Sequence, residues 1–111
     1  MGSFTKGEIV LFPFPYTDLK GSKLRPCLVL SEEMREDILL CQITSQRIPK
    51  DEYCISLLKN ETKNGSLKID SFIRANMLFT ASKNMCEDKL CKIETKKYSD
   101  VVLMINKIIS K

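Results

Sequence analysis

The chain has 111 residues, 18 of them Lys or Arg and 14 Asp or Glu, for a formal net charge of +4. That length supports a single core, so one domain is expected over residues 1–111, and 43% apolar with 29% charged residues excludes a disordered chain. There is no His, which excludes His-based metal sites and Ser-His or Cys-His nucleophile pairs.

In chain order, residues 8–12 are β-branched and apolar and read as a first strand opened by Gly7. Pro13 and Pro15 cannot donate to a ladder, so the strand is expected to end there or run along an edge. Residues 16–23 are polar, contain Gly21, and read as a loop. Residues 26–30 form a continuous apolar run, the pattern of a strand buried on both faces. A charged link over 32–37 leads into a third strand at 38–44. Further strands are expected near 53–56, 70–75 and 89–93, with an exposed turn over 59–66.

After that the period changes. Tyr98, Val101, Val102, Ile105, Ile108 and Ile109 fall on one helical stripe. Thr95 or Ser99 is the expected N-cap. Lys96, Lys97, Lys107 and Lys111 are assigned to the solvated face and the C-terminal end of the helix. Strands followed by one amphipathic helix indicate an α+β domain, a small curled sheet or partly open barrel capped by the helix.

Cys27, Cys41, Cys54, Cys86 and Cys91 are odd in number and include no C-x-x-C pair, against a disulfide framework or a structural zinc site. They are expected as buried, reduced thiols. No run approaches the roughly 20 apolar residues of a membrane span, and the N-terminus lacks the basic-then-apolar order of a secretory signal. A cytoplasmic protein without membrane association is expected. A pI near 8.8 permits a polyanionic partner without requiring one. These features alone leave nucleic-acid binding, protein binding and chemistry open.

Three segments narrow the choice by their order and spacing. Gly7-Glu8-Ile9-Val10 leads into Phe12-Pro13-Phe14-Pro15-Tyr16-Thr17-Asp18; after a loop comes Gly21-Ser22-Lys23-Leu24-Arg25-Pro26-Cys27-Leu28-Val29-Leu30-Ser31; about a dozen residues later stands Gln42-Ile43-Thr44-Ser45-Gln46. This closely resembles the PemK/MazF family of toxins from type II toxin–antitoxin systems, in its short F-P-F-x-T-D branch. The segment from Ser71 to Thr80 is similar to the family's third block. The resemblance implies an SH3-like β-barrel of the MazF, PemK and CcdB type with a C-terminal helix, assembled as a homodimer. It further implies an endoribonuclease that cuts single-stranded RNA without metal or other cofactor and is silenced by a cognate antitoxin.

By the same resemblance, Arg25 and Thr44 match the positions given catalytic roles, and Arg74 matches a second functional Arg. Arg suits the chemistry, because its planar fork makes paired hydrogen bonds to phosphate oxygens. Asp18 is the candidate general base. Tyr16, Thr17, Lys20, Ser22, Lys23, Ser45, Gln46, Arg74 and Asn76 are the candidate RNA contacts, with Tyr16 as a stacking platform and the lysines as steering charges. Phe12 and Phe14 alternate and are assigned to the core or a dimer contact. Asn76 departs from the family, many members of which carry Asp or Glu at the matching place. That departure keeps a rival in view: a non-catalytic module on the same barrel that inhibits a protein such as DNA gyrase, or that only binds RNA or antitoxin.

Overall fold

A strand that is apolar at every position can bury both faces only in mid-sheet, between two packed layers. The structure, a computed structural model describing residues 3–15, 20–47 and 50–111, places residues 27–30 and 38–41 in such a position. Its strands are β1 (Glu8–Pro15), β2 (Ser22–Val29), β3 (Asp37–Thr44), β4 (Cys54–Leu57), β5 (Thr62–Lys63), β6 (Ser71–Ser82) and β7 (Lys89–Ile93), followed by helix α1 (Thr95–Ile109). All neighbouring strands pair antiparallel, in the order β4-β6-β3-β2-β1-β7-β5. The sheet curls into a half-barrel with one C-terminal helix, as the sequence pattern predicted.

Successive residues send their side chains to opposite faces. Ile9, Leu28, Cys41, Ile43 and Ile73 join the larger core, where Val101, Tyr98 and Ile105 of α1 pack. Their sequence neighbours Val10, Cys27, Val29 and Leu40 fill a second cluster on the other face, bordered by Phe12, Phe14 and Phe79. These three rings meet edge-on at centroid distances of 5.3 to 5.6 Å, which agrees with the core assignment of Phe12 and Phe14. Tyr98 fastens α1 by donating its hydroxyl to the Leu30 carbonyl at 2.6 Å.

Cys27, Cys41 and Cys91 are buried, while Cys54 and Cys86 are half-buried. Burial pushes the Cys27 and Cys41 thiols up to about 12, with neighbouring thiols adding to the effect. Both thiols are therefore neutral parts of the packing.

Of the two outcomes expected at Pro13 and Pro15, β1 takes the edge: it continues through them with β2 paired alongside, Pro13 with Leu24 and Pro15 with Ser22, while β7 pairs with residues 8–10. Other boundaries differ from expectation. Residues 22 and 23 belong to a strand and not to the loop. β6 does not end at Ala75 but runs to Ser82. Along it the pairing with β3 passes from Ile43↔Ile73 to Cys41↔Leu78, leaving extra β6 residues opposite Gln42. Such an irregularity bends a strand without ending it. The N-cap of α1 is Glu94, without a side-chain cap bond, and not Thr95 or Ser99. Lys97 is not on the solvated face: it donates to the Ser56 carbonyl at 2.8 Å and pairs with Glu61 at 3.4 Å.

Candidate functional site

The β1–β2 hairpin sets Phe12 opposite Arg25 and Phe14 opposite Lys23. β2 then pairs with β3 from Cys27↔Gln42 to Val29↔Leu40. Carried two residues further along both strands, that register brings Arg25 across from Thr44. Both residues line one cleft of about 370 Å³, together with Lys23 and Ser45. The cleft floor includes Ile43, Leu67 and Leu90, the margin of the larger core. Arg25 is exposed and Thr44 half-buried. The Thr44 Oγ1 accepts a hydrogen bond from the Gln46 amide at 3.1 Å. One of its two lone pairs is thereby engaged, and its O–H remains available to donate to a ligand oxygen.

The far wall of the cleft is the segment between β5 and β6, contributing Ser66, Lys68 and Ile69. Gly65 makes this wall possible. Its φ is +128°, and a Cβ there would sit 2.1 Å from the Leu90 carbonyl oxygen, so the turn lies against β7 only with glycine. Sequence reasoning placed an exposed turn here but attached no function to it. The signal was faint: a Lys-Ile pair next to a Gly-Ser turn is legible as a ligand wall only once the turn is folded back over the hairpin.

Charge separates this cleft from two others. Among the described residues its lining holds Lys23, Arg25 and Lys68 and no carboxylate. The larger cleft, about 650 Å³, mixes Lys83 and Lys89 with Glu33, Glu87 and Asp88, and its lysines are paired, Lys83 with Glu33 at 2.8 Å and Lys89 with Glu8 at 3.3 Å. The hydrogen bond from Lys83, then that from the Phe4 amide, holds the Glu33 carboxyl below its ordinary range. A cleft of about 460 Å³ sets Arg47 and Lys50 beside Asp51 and Glu52. Of these three clefts, the Arg25–Thr44 cleft alone has a lining, among the described residues, that is positive throughout.

Arg74 and Asn76 lie elsewhere. Neither lines this cleft. As the alternation of β6 requires, Arg74 points away from the buried Ile73 and Ala75. Its guanidinium stands 4.0 Å from Asp51, the Arg74 side chain being 25% exposed and that of Asp51 9%. Its Nε is buried and meets no acceptor among the described residues. Asp51 also accepts from the Tyr53 amide at 2.8 Å and from the Cys54 thiol at 3.3 Å. Those hydrogen bonds, with the nearby Arg74 charge, hold the Asp51 carboxyl below its ordinary range. Asn76 is exposed on β6, and the carboxylate beside Arg74 is Asp51 rather than residue 76. Asp51 was missed in the sequence, although an Asp two residues before an amide it can cap is a common turn signature.

Of the remaining candidates, Ser22 opens β2 and Lys20 is exposed just before it. Gln46 is exposed beside the cleft and tied to Thr44. Tyr16, Thr17 and Asp18 lie outside the described residues. Asp70, another carboxylate near the cleft wall, accepts from the Lys59 amide at 2.8 Å and so closes the turn ahead of β6. No helix among the described residues is long and apolar enough to cross a membrane.

Comparison with known proteins bears on this arrangement. No curated protein matches the chain in sequence. Among solved structures, a MazE–MazF complex from Deinococcus radiodurans is similar at a TM-score of 0.79 and 16% identity, covering 98% of each chain. An endoribonuclease with its cognate antitoxin from a mycobacterial species is similar at 0.74 and 12% identity, over 99% of this chain and 96% of that one. The Mycobacterium tuberculosis toxin MazF-mt6 is similar at 0.68 and 11% identity, over 91% and 96%. At such identities these likenesses speak to the fold. The sequence profile of the PemK-like, MazF-like toxins of type II toxin–antitoxin systems matches residues 5–109, and the chain belongs to that family.

Proposed function

We propose that this protein is an endoribonuclease toxin that cuts single-stranded RNA at short sequences without metal, and that the Arg25–Thr44 cleft holds the scissile phosphate. The observation that carries this reading is the pairing of Arg25 and Thr44 in a cleft whose described lining holds three cations and no carboxylate. The nucleophile is the substrate's own 2′-OH. It attacks the adjacent phosphorus, the bond to the 5′-oxygen breaks, and one product ends in a 2′,3′-cyclic phosphate. The protein's part is to hold the attack line and stabilise charge on the phosphorane-like transition state.

Arg25 does the latter with a two-pronged, charge-assisted hydrogen bond, an effect worth roughly 3–4 kcal/mol per well-placed donor in a dry site. Its permanent charge and fixed planar fork suit it to electrostatic stabilisation rather than to donating a proton. Thr44 donates its hydroxyl to a phosphate oxygen and fixes orientation. Asp18 takes the 2′-OH proton. Lys20, Ser22, Lys23, Ser45 and Gln46, with Tyr16 and Thr17, bind the flanking RNA. Arg74, engaged with Asp51, and Asn76 contact RNA only beyond this cleft.

In this reading the chain is one toxin domain over residues 1–111, works in the cytoplasm as a homodimer, and is neutralised by a cognate antitoxin. The solved relatives described as toxin–antitoxin complexes support that partner. The test is cleavage of a long single-stranded RNA by purified protein in EDTA, with ends read for cyclic phosphate. Discrete cuts that fall by about 10²–10³ in rate in Arg25→Ala are expected. Growth arrest on expression without any RNA cutting would overturn the reading and move the search to a protein target.

A further inference from the structure

The apolar half of the same cleft has no role in phosphate chemistry. Leu24 and Ile69 are 42% and 57% exposed, although each could have been polar without loss to the core. They come from different segments of the same lining, Leu24 from β2 beside Arg25 and Ile69 from the segment ahead of β6, together with the apolar Ile43, Leu67 and Leu90. Ser45 and Ser66 place hydroxyls at the margin. An apolar slot with polar groups at its rim, next to a phosphate clamp, has the make-up of a specific small-ligand site.

We propose that Leu24 and Ile69 grip the faces of one RNA base adjacent to the scissile phosphate, and so set the base preference at that position of the cut. This rests on the nuclease reading above and names the part of the site that reads sequence. The occupant is a nucleotide because one group must satisfy both halves at once. Its phosphate answers Lys23, Arg25 and Lys68, its flat base fills the slot, and base-edge donors and acceptors meet Ser45 and Ser66. The all-positive lining argues for a phosphate-bearing ligand, and the hydroxyls argue against a purely aliphatic one.

The test is the cut-site profile of purified full-length protein on a long single-stranded RNA of mixed sequence, read by sequencing the new ends. Leu24→Ser/Ile69→Ser is compared with wild type and with Leu103→Ser, an exposed residue of α1 outside the cleft. The double variant is expected to lose roughly tenfold discrimination at one flanking position and to keep its preference at the others, while Leu103→Ser keeps the wild-type profile. Thermal melts confirm that the surface changes leave the fold intact. An unchanged profile in the double variant overturns the base slot while leaving the nuclease standing. No cutting by wild type overturns both readings together.

Discussion

Asp51 shows how much one side chain can organise. It joins the Tyr53 amide, the Cys54 thiol and the Arg74 guanidinium, and so ties the segment after β3 to β6. Because its folded pKa lies below the ordinary value of 3.8, its contribution is complete above that value and is lost as pH falls through the folded pKa. Asp51→Asn is expected to melt lower than wild type at neutral pH, with the gap closing below about pH 4. A gap that stays constant on acidification would show that the carboxylate's charge contributes nothing. Arg74 also illustrates the limit of reading a residue by position alone. Resemblance offers it as a second functional Arg and its strand position equally allows a structural ion pair; the Asp51 carboxylate 4.0 Å from its guanidinium supplies the partner for the latter.

Among the elements, β6 and the turn before it decide the shape of the site. β6 pairs with β4 and the end of β3 in its first part and with the start of β3 in its second. The register with β3 changes between them, and Arg74, in the first part, does not line the cleft that holds Arg25. Local sequence gave no sign of this, because residues 76–82 do not alternate cleanly and a bulge has no period. The Gly65 turn is the counterpart on the other wall. Gly65→Ala must relieve both a left-handed φ and a clash with the Leu90 carbonyl. It is expected to cost at least about 1–3 kcal/mol, read as a drop of several degrees in Tm, and to weaken RNA cutting because Ser66, Lys68 and Ile69 shift with it. Full stability in this variant would mean that the turn is not pressed against β7.

For the molecule as a whole, a net charge of +4 spread over 111 residues is modest, and what matters is where the charge goes unopposed. Lys83, Lys89 and Lys97 are engaged with carboxylates, whereas Lys23 and Lys68 line a cleft with none among the described residues. If each meets one phosphate of a single strand, Lys23→Ala and Lys68→Ala will each flatten the dependence of log K on log salt by about 0.7. Fluorescence anisotropy with a labelled RNA and the non-cutting Arg25→Ala protein measures this. Lys89→Ala, outside the cleft, is expected to leave the slope unchanged.

Strong local patterns made much of the molecule legible without coordinates. Unbroken apolar runs marked the doubly buried strands β2 and β3, the helical stripe ending in Ile108 and Ile109 marked α1, and the motif blocks around Arg25 and Thr44 marked the family. Each depends on residues close together in the chain. Strand continuation through Pro13 and Pro15 was decided by tertiary structure: β2 pairs along them while β7 pairs with residues 8–10, and the prolines therefore run along an edge, where a missing donor is tolerated. So were the bend in β6, the Asp51–Arg74 contact and the wall built by residues 66–69. These join segments from 20 to over 40 residues apart, and only closure of the half-barrel puts Lys68 and Ile69 on the same cleft as Arg25.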